Sequence, residues 1–162
     1  MHVFSKTGEA TIERDGDHPT QSFFRYTVVR GEDPLDYAQV PLVDGEFHSG
    51  SDWQLATLAT DAPDGIVMLY QAFDDEARSP DLFVSAAPYV SIGDLVDGEK
   101  SASKHGGLTK DEAWSTVAFH GTGIEPRRLL TARNIDVVPT LLEFLDVPFD
   151  VRDKDGTILP IH

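Results

Sequence analysis

The sequence predicts a mixed α/β fold: part of a layered α/β sheet, preceded by a β-rich N-terminal cap or insertion region. Three observations predict it. Residues 1–50 hold short β-rich runs separated by turn signals. Leu82–Ala87 (LFVSAA) and Ser115–Phe119 (STVAF) are apolar runs of strand length, the pattern of strands buried on both faces. Ile135–Leu145 (IDVVPTLLEFL) is the clearest helical stretch. Strand, loop, strand and helix in that order belong to a layered sheet. No linker divides the chain, so residues 1–162 read as a single domain, with 1–50 cap-like and 51–162 α/β.

The elements follow in order. His2–Ser5 and Glu9–Glu13 alternate in part, and Asp15-Gly16-Asp17 reads as a hairpin-like turn. Ser22–Val29 (SFFRYTVV) is rich in aromatic and β-branched residues and reads as a strand. Asp33-Pro34 and Asp44-Gly45 mark further breaks. Ser51 or Asp52 is placed to cap a short helix, WQLATLAT. Pro63 suits the first turn of a second helix running to about Phe73, with Ile66, Leu69, Tyr70 and Phe73 at helical spacing. Val90–Lys104 is rich in Gly, Asp and Ser and reads as a loop. The last helix, with Asn134 or Asp136 as cap and Pro139 in its first turn, carries apolar residues on two faces, so it is expected to be largely buried.

The charge balance removes several function classes. The chain has 28 acidic and 13 basic residues, for a net charge of −15. That field repels phosphate backbones and anionic lipid, so neither nucleic acid nor a membrane surface is an expected partner. No apolar run approaches about 18 residues, and residues 1–17 lack the basic and apolar regions of a secretory leader. A soluble protein is expected, with the cytoplasm its expected location. There is no cysteine, which excludes disulfides and thiolate metal sites.

One segment carries the functional reading. Lys104-His105-Gly106-Gly107-Leu108 sets a histidine in a glycine loop before the second apolar run. Asp136-Val137-Val138-Pro139-Thr140-Leu141-Leu142 opens the following helix, and Asp155-Gly156 precedes Thr157-Ile158-Leu159. Together these resemble the C-terminal end of the catalytic domain in the alkaline-phosphatase superfamily, specifically its type I phosphodiesterase and nucleotide pyrophosphatase-like branch. The close resemblance covers about a third of the chain. It implies a partial sheet of the alkaline-phosphatase type and makes His105 a metal ligand. It implies zinc or another divalent metal, but only within a complete site; none is expected for this chain alone. Such sites cleave phosphate or sulfate esters, using two metal ions to stabilise the attacking and leaving oxygens. The family's other pieces have no counterpart here: no Asp-His-Gly occurs, and neither the N-terminal Asp nor the Thr or Ser nucleophile segment is matched. A catalytic zinc takes about three protein ligands, and His105 supplies one.

The expectation is therefore the C-terminal part of a metal-dependent phosphodiesterase-like hydrolase, inactive alone and with no catalytic residue assigned. Two alternatives stay open: a stand-alone, non-catalytic binding or interaction module derived from that fold, and an unrelated acidic α/β domain. If half a sheet is missing, an apolar edge should lie exposed, to be covered by an N-terminal half or by a homo-oligomer. The His105 loop is expected beside the ends of the two predicted strands, where sites in open α/β sheets gather. His120-Gly121-Thr122-Gly123 reads as a turn. His2, His18, His48 and His162 read as exposed. Arg127, Arg128 and Arg133 read as solvated or paired with acidic groups, and Trp53 and Trp114 as packing residues. Asp153 and Asp155 form at most half of a calcium loop.

Overall fold

The structure, a computed structural model, describes residues 1–16, 22–75, 77, 79–87, 90, 107–150 and 155–162. It is a small mixed α/β domain with a four-stranded antiparallel sheet and four helices among the described residues. The strands are β1 (His2–Phe4), β2 (Gly8–Asp15), β3 (Phe23–Gly31) and β4 (His48–Ser49), in the order β1-β2-β3-β4. β2 and β3 form the backbone of the sheet, paired from Gly8↔Gly31 to Asp15↔Phe23. A bulge at Glu9/Ala10 leaves Val29 as the extra residue, and Val29 is exposed.

Period-two alternation explains the buried face. Ala10 and Ile12 on β2 and Phe24 and Tyr26 on β3 point to one side and are buried. Against them pack α1 (Gly50–Thr57) and α2 (Gly65–Gln71) through Trp53, Ile66, Val67 and Leu69. α1 starts earlier than the sequence suggests. Its cap is Ser49, whose hydroxyl accepts from Asp52 N at 3.1 Å.

The loop after β3 is ordered by Asp33, which accepts from Tyr26 Oη at 2.5 Å, Leu35 N at 2.9 Å and Tyr37 N at 2.7 Å. Tyr37 continues inward, donating to Ala62 O and accepting from Gly65 N at 3.1 Å.

Both phenols are held un-ionised. Burial raises each of them, and for Tyr26 the hydrogen bond and the negative charge of Asp33 add to it. In the unfolded chain a tyrosine ionises near pH ~10. Below that pH both states keep the protons and stability is unaffected. Above it the unfolded state releases protons that the fold retains, so stability falls with rising pH, by about 1.4 kcal/mol per pH unit for each tyrosine. The urea midpoint should therefore be flat on approaching pH ~10 and drop beyond it, and Tyr26→Phe should remove about half of that slope. A midpoint indifferent to alkaline pH would contradict the burial of these phenols.

The C-terminal half departs from expectation. Neither Leu82–Ala87 nor Ser115–Phe119 forms a strand. Both are irregular, and Leu82 is 74 % exposed. An apolar run becomes a buried strand only when neighbouring strands satisfy its backbone, and the described residues offer these segments none. The helix at the end forms as a 3₁₀ turn (Asn134–Asp136) running into α4 (Val137–Phe144), but it is not largely buried. Pro139 and Thr140 are buried, whereas Val138, Leu141 and Leu145 face outward. The residues read as a cap, 1–50, supply the sheet itself, and α1 and α2 lie directly against it. Layering of the alkaline-phosphatase type is not visible among the described residues. None of their helices is long and apolar enough to cross a membrane.

Candidate functional site

His105, the predicted metal ligand, lies outside the described residues, as do His18 and Asp153. The strand ends it was expected to sit beside do not form. What is described is the anchor of its loop. Leu108 packs against the main core. Thr109 caps the single turn α3 (Lys110–Ala113) and donates to Glu112 Oε2 at 3.0 Å. Lys110 N donates to Asp61 O at 3.0 Å, and Lys110 Nζ reaches Asp61 Oδ1 at 2.9 Å. The C-terminal end of the His105 loop is thus strapped to the turn between α1 and α2.

The two remaining motif segments form one hydrogen-bonded unit. Asp136 Oδ1 accepts from Thr157 N at 2.8 Å and from Thr157 Oγ1 at 3.1 Å, while its Oδ2 accepts from Arg133 N at 2.6 Å. One turn on, Thr140 Oγ1 donates to Asp136 O at 2.5 Å and accepts from Leu159 N at 2.9 Å. Gly156 sits so close to Ile135 that any Cβ would overlap its carbonyl. The spacing Asp136…Thr140 is one helical turn, which places a carboxylate and a hydroxyl on the same edge to catch the returning tail. These residues position the C-terminal segment, and none of their described partners is a metal ligand.

A buried ion pair joins this unit to the core. Arg133 Nε donates to Asp64 Oδ2 at 2.5 Å, and Nη2 donates to Asp64 Oδ1 at 2.8 Å and Gly50 O at 2.8 Å. Asp64 takes a left-handed conformation (φ 57°) at the start of α2, and its N–H donates to Thr57 Oγ1 at 2.8 Å. Burial pushes the Asp64 carboxyl up, and Arg133 pulls it back. The guanidinium stays firmly charged: burial works against the charge, but the bidentate bond to Asp64 and the Asp136 charge outweigh it. Sequence reading offered Arg133 as solvated or surface-paired. Its burial depends on Asp64, 69 residues away, and no local pattern signals that.

Other candidates sort plainly. His120 is exposed, and the turn after it closes with Ile124 N donating to Gly121 O at 3.3 Å and Gly123 at φ 86°. His2 and His162 are exposed, but His48 is partly buried against Trp53 and bonded to Asp44 at 2.9 Å. Arg127 is exposed and donates to Pro160 O at 2.8 Å. Among the described residues, no three His, Cys, Asp or Glu side chains gather into a metal site. Those residues do not by themselves fit a zinc or other divalent ion.

Two clefts flank this region. One of about 770 Å³ lies between Ser115–His120 and Glu125–Ala132, with Ile124, Leu159 and Ile161 along it. The other, about 740 Å³, runs between α1, α2 and the 128–135 segment and is edged by Trp114. No family model, curated protein or solved structure matches the chain.

Proposed function

We propose that the chain is the C-terminal part of a metal-dependent phosphodiesterase- or nucleotide pyrophosphatase-like hydrolase. In this reading it supplies one metal ligand, His105, and part of a pocket wall, and is inactive alone. The zinc or other divalent metal would be completed by ligands from an N-terminal half. The observation that carries the reading is the uncovered state of the C-terminal region. Leu82, Phe83, Val84, Trp114, Leu130 and Val138 are all exposed, in a chain whose N-terminal half has a closed core. Where such exposed apolar residues share a face, that face is of the kind a partner covers. The interlocked Asp136–Thr140 and Gly156–Leu159 segments add support, since they are the stretches on which the resemblance rests.

The closed core of β2, β3, α1 and α2 favours a second reading, a stand-alone binding module that kept a scaffold without its chemistry.

The test has two arms. The chain alone should not hydrolyse aryl phosphate mono- or diesters or an aryl sulfate with added zinc, manganese or calcium. Metal-dependent turnover lost in His105→Ala would overturn this. Coding DNA beside the gene should specify a segment bearing Asp-His-Gly and a Thr or Ser nucleophile. Mixing in that product should restore activity, and His105→Ala should remove most of it. Restoration indifferent to His105 would strip this residue of its role, and absence of any such segment would favour the module.

A further inference from the structure

We propose that the cleft between α1, α2 and the 128–135 segment binds a small aromatic monocarboxylate, with Arg128 pairing its carboxylate and Trp114 flanking its ring. The inference stands apart from the hydrolytic reading and needs neither a metal nor an N-terminal half.

The walls follow from helix periodicity. α1 and α2 each turn one face to the core, through Trp53 and through Ile66, Val67 and Leu69. Gln54 and Leu58 lie one turn apart along α1 and its cap, and Asp64, Met68 and Gln71 recur at helical spacing from the start of α2. These two stripes form one wall of the cleft. The other wall carries Trp114, Leu129, Leu130 and Ile135. A mostly apolar lining with a few polar groups is the make-up of a small-molecule site, and such sites hold about 300–1,000 Å³. This cleft holds about 740 Å³.

Local charge chooses the ligand class. The chain carries −15 overall, yet the charged residues lining this cleft are Arg128, Arg133 and Asp64, a local sum of +1 (two positive, one negative). Arg133 is committed to Asp64 by two bonds, at 2.5 and 2.8 Å. Arg128 is exposed, and among the described residues its side chain makes no hydrogen bond or ion pair. The same holds for the amides of Gln54 and Gln71. One uncommitted guanidinium in an otherwise neutral lining matches one negative charge, and its planar fork matches a carboxylate. A phosphate monoester brings close to two charges and would meet only one. The apolar walls call for an aromatic body, which an indole accepts in offset or edge contact. The two glutamine amides supply donors and acceptors for polar groups on that body.

The probe is naphthoate, titrated into the whole chain and followed by calorimetry and by NMR. Saturable binding with a dissociation constant below about 1 mM is expected. The side-chain signals of Gln54, Gln71 and Trp114 should shift, while the indole of the fully buried Trp53 should not. Arg128→Gln, at an exposed position, should weaken naphthoate by about tenfold or more and leave the neutral naphthamide unchanged. Trp114→Ala should weaken both ligands alike. Naphthyl phosphate should bind no more tightly than naphthoate. An unchanged urea midpoint shows that each variant keeps its fold. No saturation up to about 1 mM, or shifts confined to residues away from the cleft, overturns the site. Naphthoate binding indifferent to Arg128→Gln overturns the assignment of its carboxylate. Naphthyl phosphate binding about tenfold tighter than naphthoate overturns the ligand class and gives the cleft to phosphate esters.

Discussion

Replacing Arg133 by alanine is expected to lower stability by about 3 kcal/mol, because it leaves the largely buried Asp64 carboxylate without its charge partner. Asp64 and Arg133 side chains are only 10 % and 13 % exposed. The loss should be felt first at the C-terminal unit, since the Arg133 guanidinium is what ties the start of the Asp136 turn to Asp64 and to Gly50 O. Amides of Thr157 and Leu159 should lose protection before those of β2 and β3. Arg133→Lys keeps a charge but not the two-point bond, so it should fall between wild type and alanine. The pair Asp64→Asn with Arg133→Met should recover most of the loss, because neither member of the pair is left charged without the other and Asn tolerates the left-handed backbone at this position. Urea midpoints for the four proteins decide it. A double variant no better than Arg133→Ala would mean that the bond to Gly50 O, and not the charge pair, holds the unit.

The N-terminal half was legible in the sequence because its signals are local. Alternation in Glu9–Glu13 and the aromatic, β-branched run Ser22–Val29 specify a hairpin of two strands consecutive in the chain. The structure adds only a bulge and a residue or two at each end. The Ile66, Leu69 and Tyr70 spacing likewise places α2, with Ile66 and Leu69 buried. Leu82–Ala87 and Ser115–Phe119 have equally good strand composition, yet no strand forms. Composition states what a segment can bury, not whether a partner is present. The site was partly legible. Asp136, Thr140, Gly156 and Leu159 were marked by resemblance, but their work as a clasp appears only when hydroxyl, carboxylate and returning tail are seen together. The Asp64–Arg133 pair spans 69 positions and leaves no periodic trace. The reading of His105 as a metal ligand rests on the resemblance alone, since His105 lies outside the described residues, which begin again at Gly107.

The two tryptophans should respond in opposite ways. Trp53→Ala is expected to cost about 3–5 kcal/mol, close to the whole stability of a small domain. Trp53 is fully buried, its ring stacks on Tyr37 at 6.3 Å, and its Nε1 donates to Phe24 O at 2.8 Å. That hydrogen bond is where α1 is pinned to β3, so removal opens a cavity and also breaks the tie between the two elements. Trp53→Phe keeps much of the volume and should cost less, mainly through the lost bond. Trp114 is 58 % exposed at the end of α3, and Trp114→Ala should change stability by no more than about 0.5 kcal/mol. Chemical denaturation followed by circular dichroism separates the two. A cost for Trp114→Ala comparable to that of Trp53→Ala would mean that the 114–132 region packs into a core of its own. In that case the exposed apolar residues of the C-terminal half would need no partner, and the case for a covered face would fail. A neutral Trp114→Ala leaves those side chains without any service to this chain's own stability, as a surface reserved for another polypeptide requires.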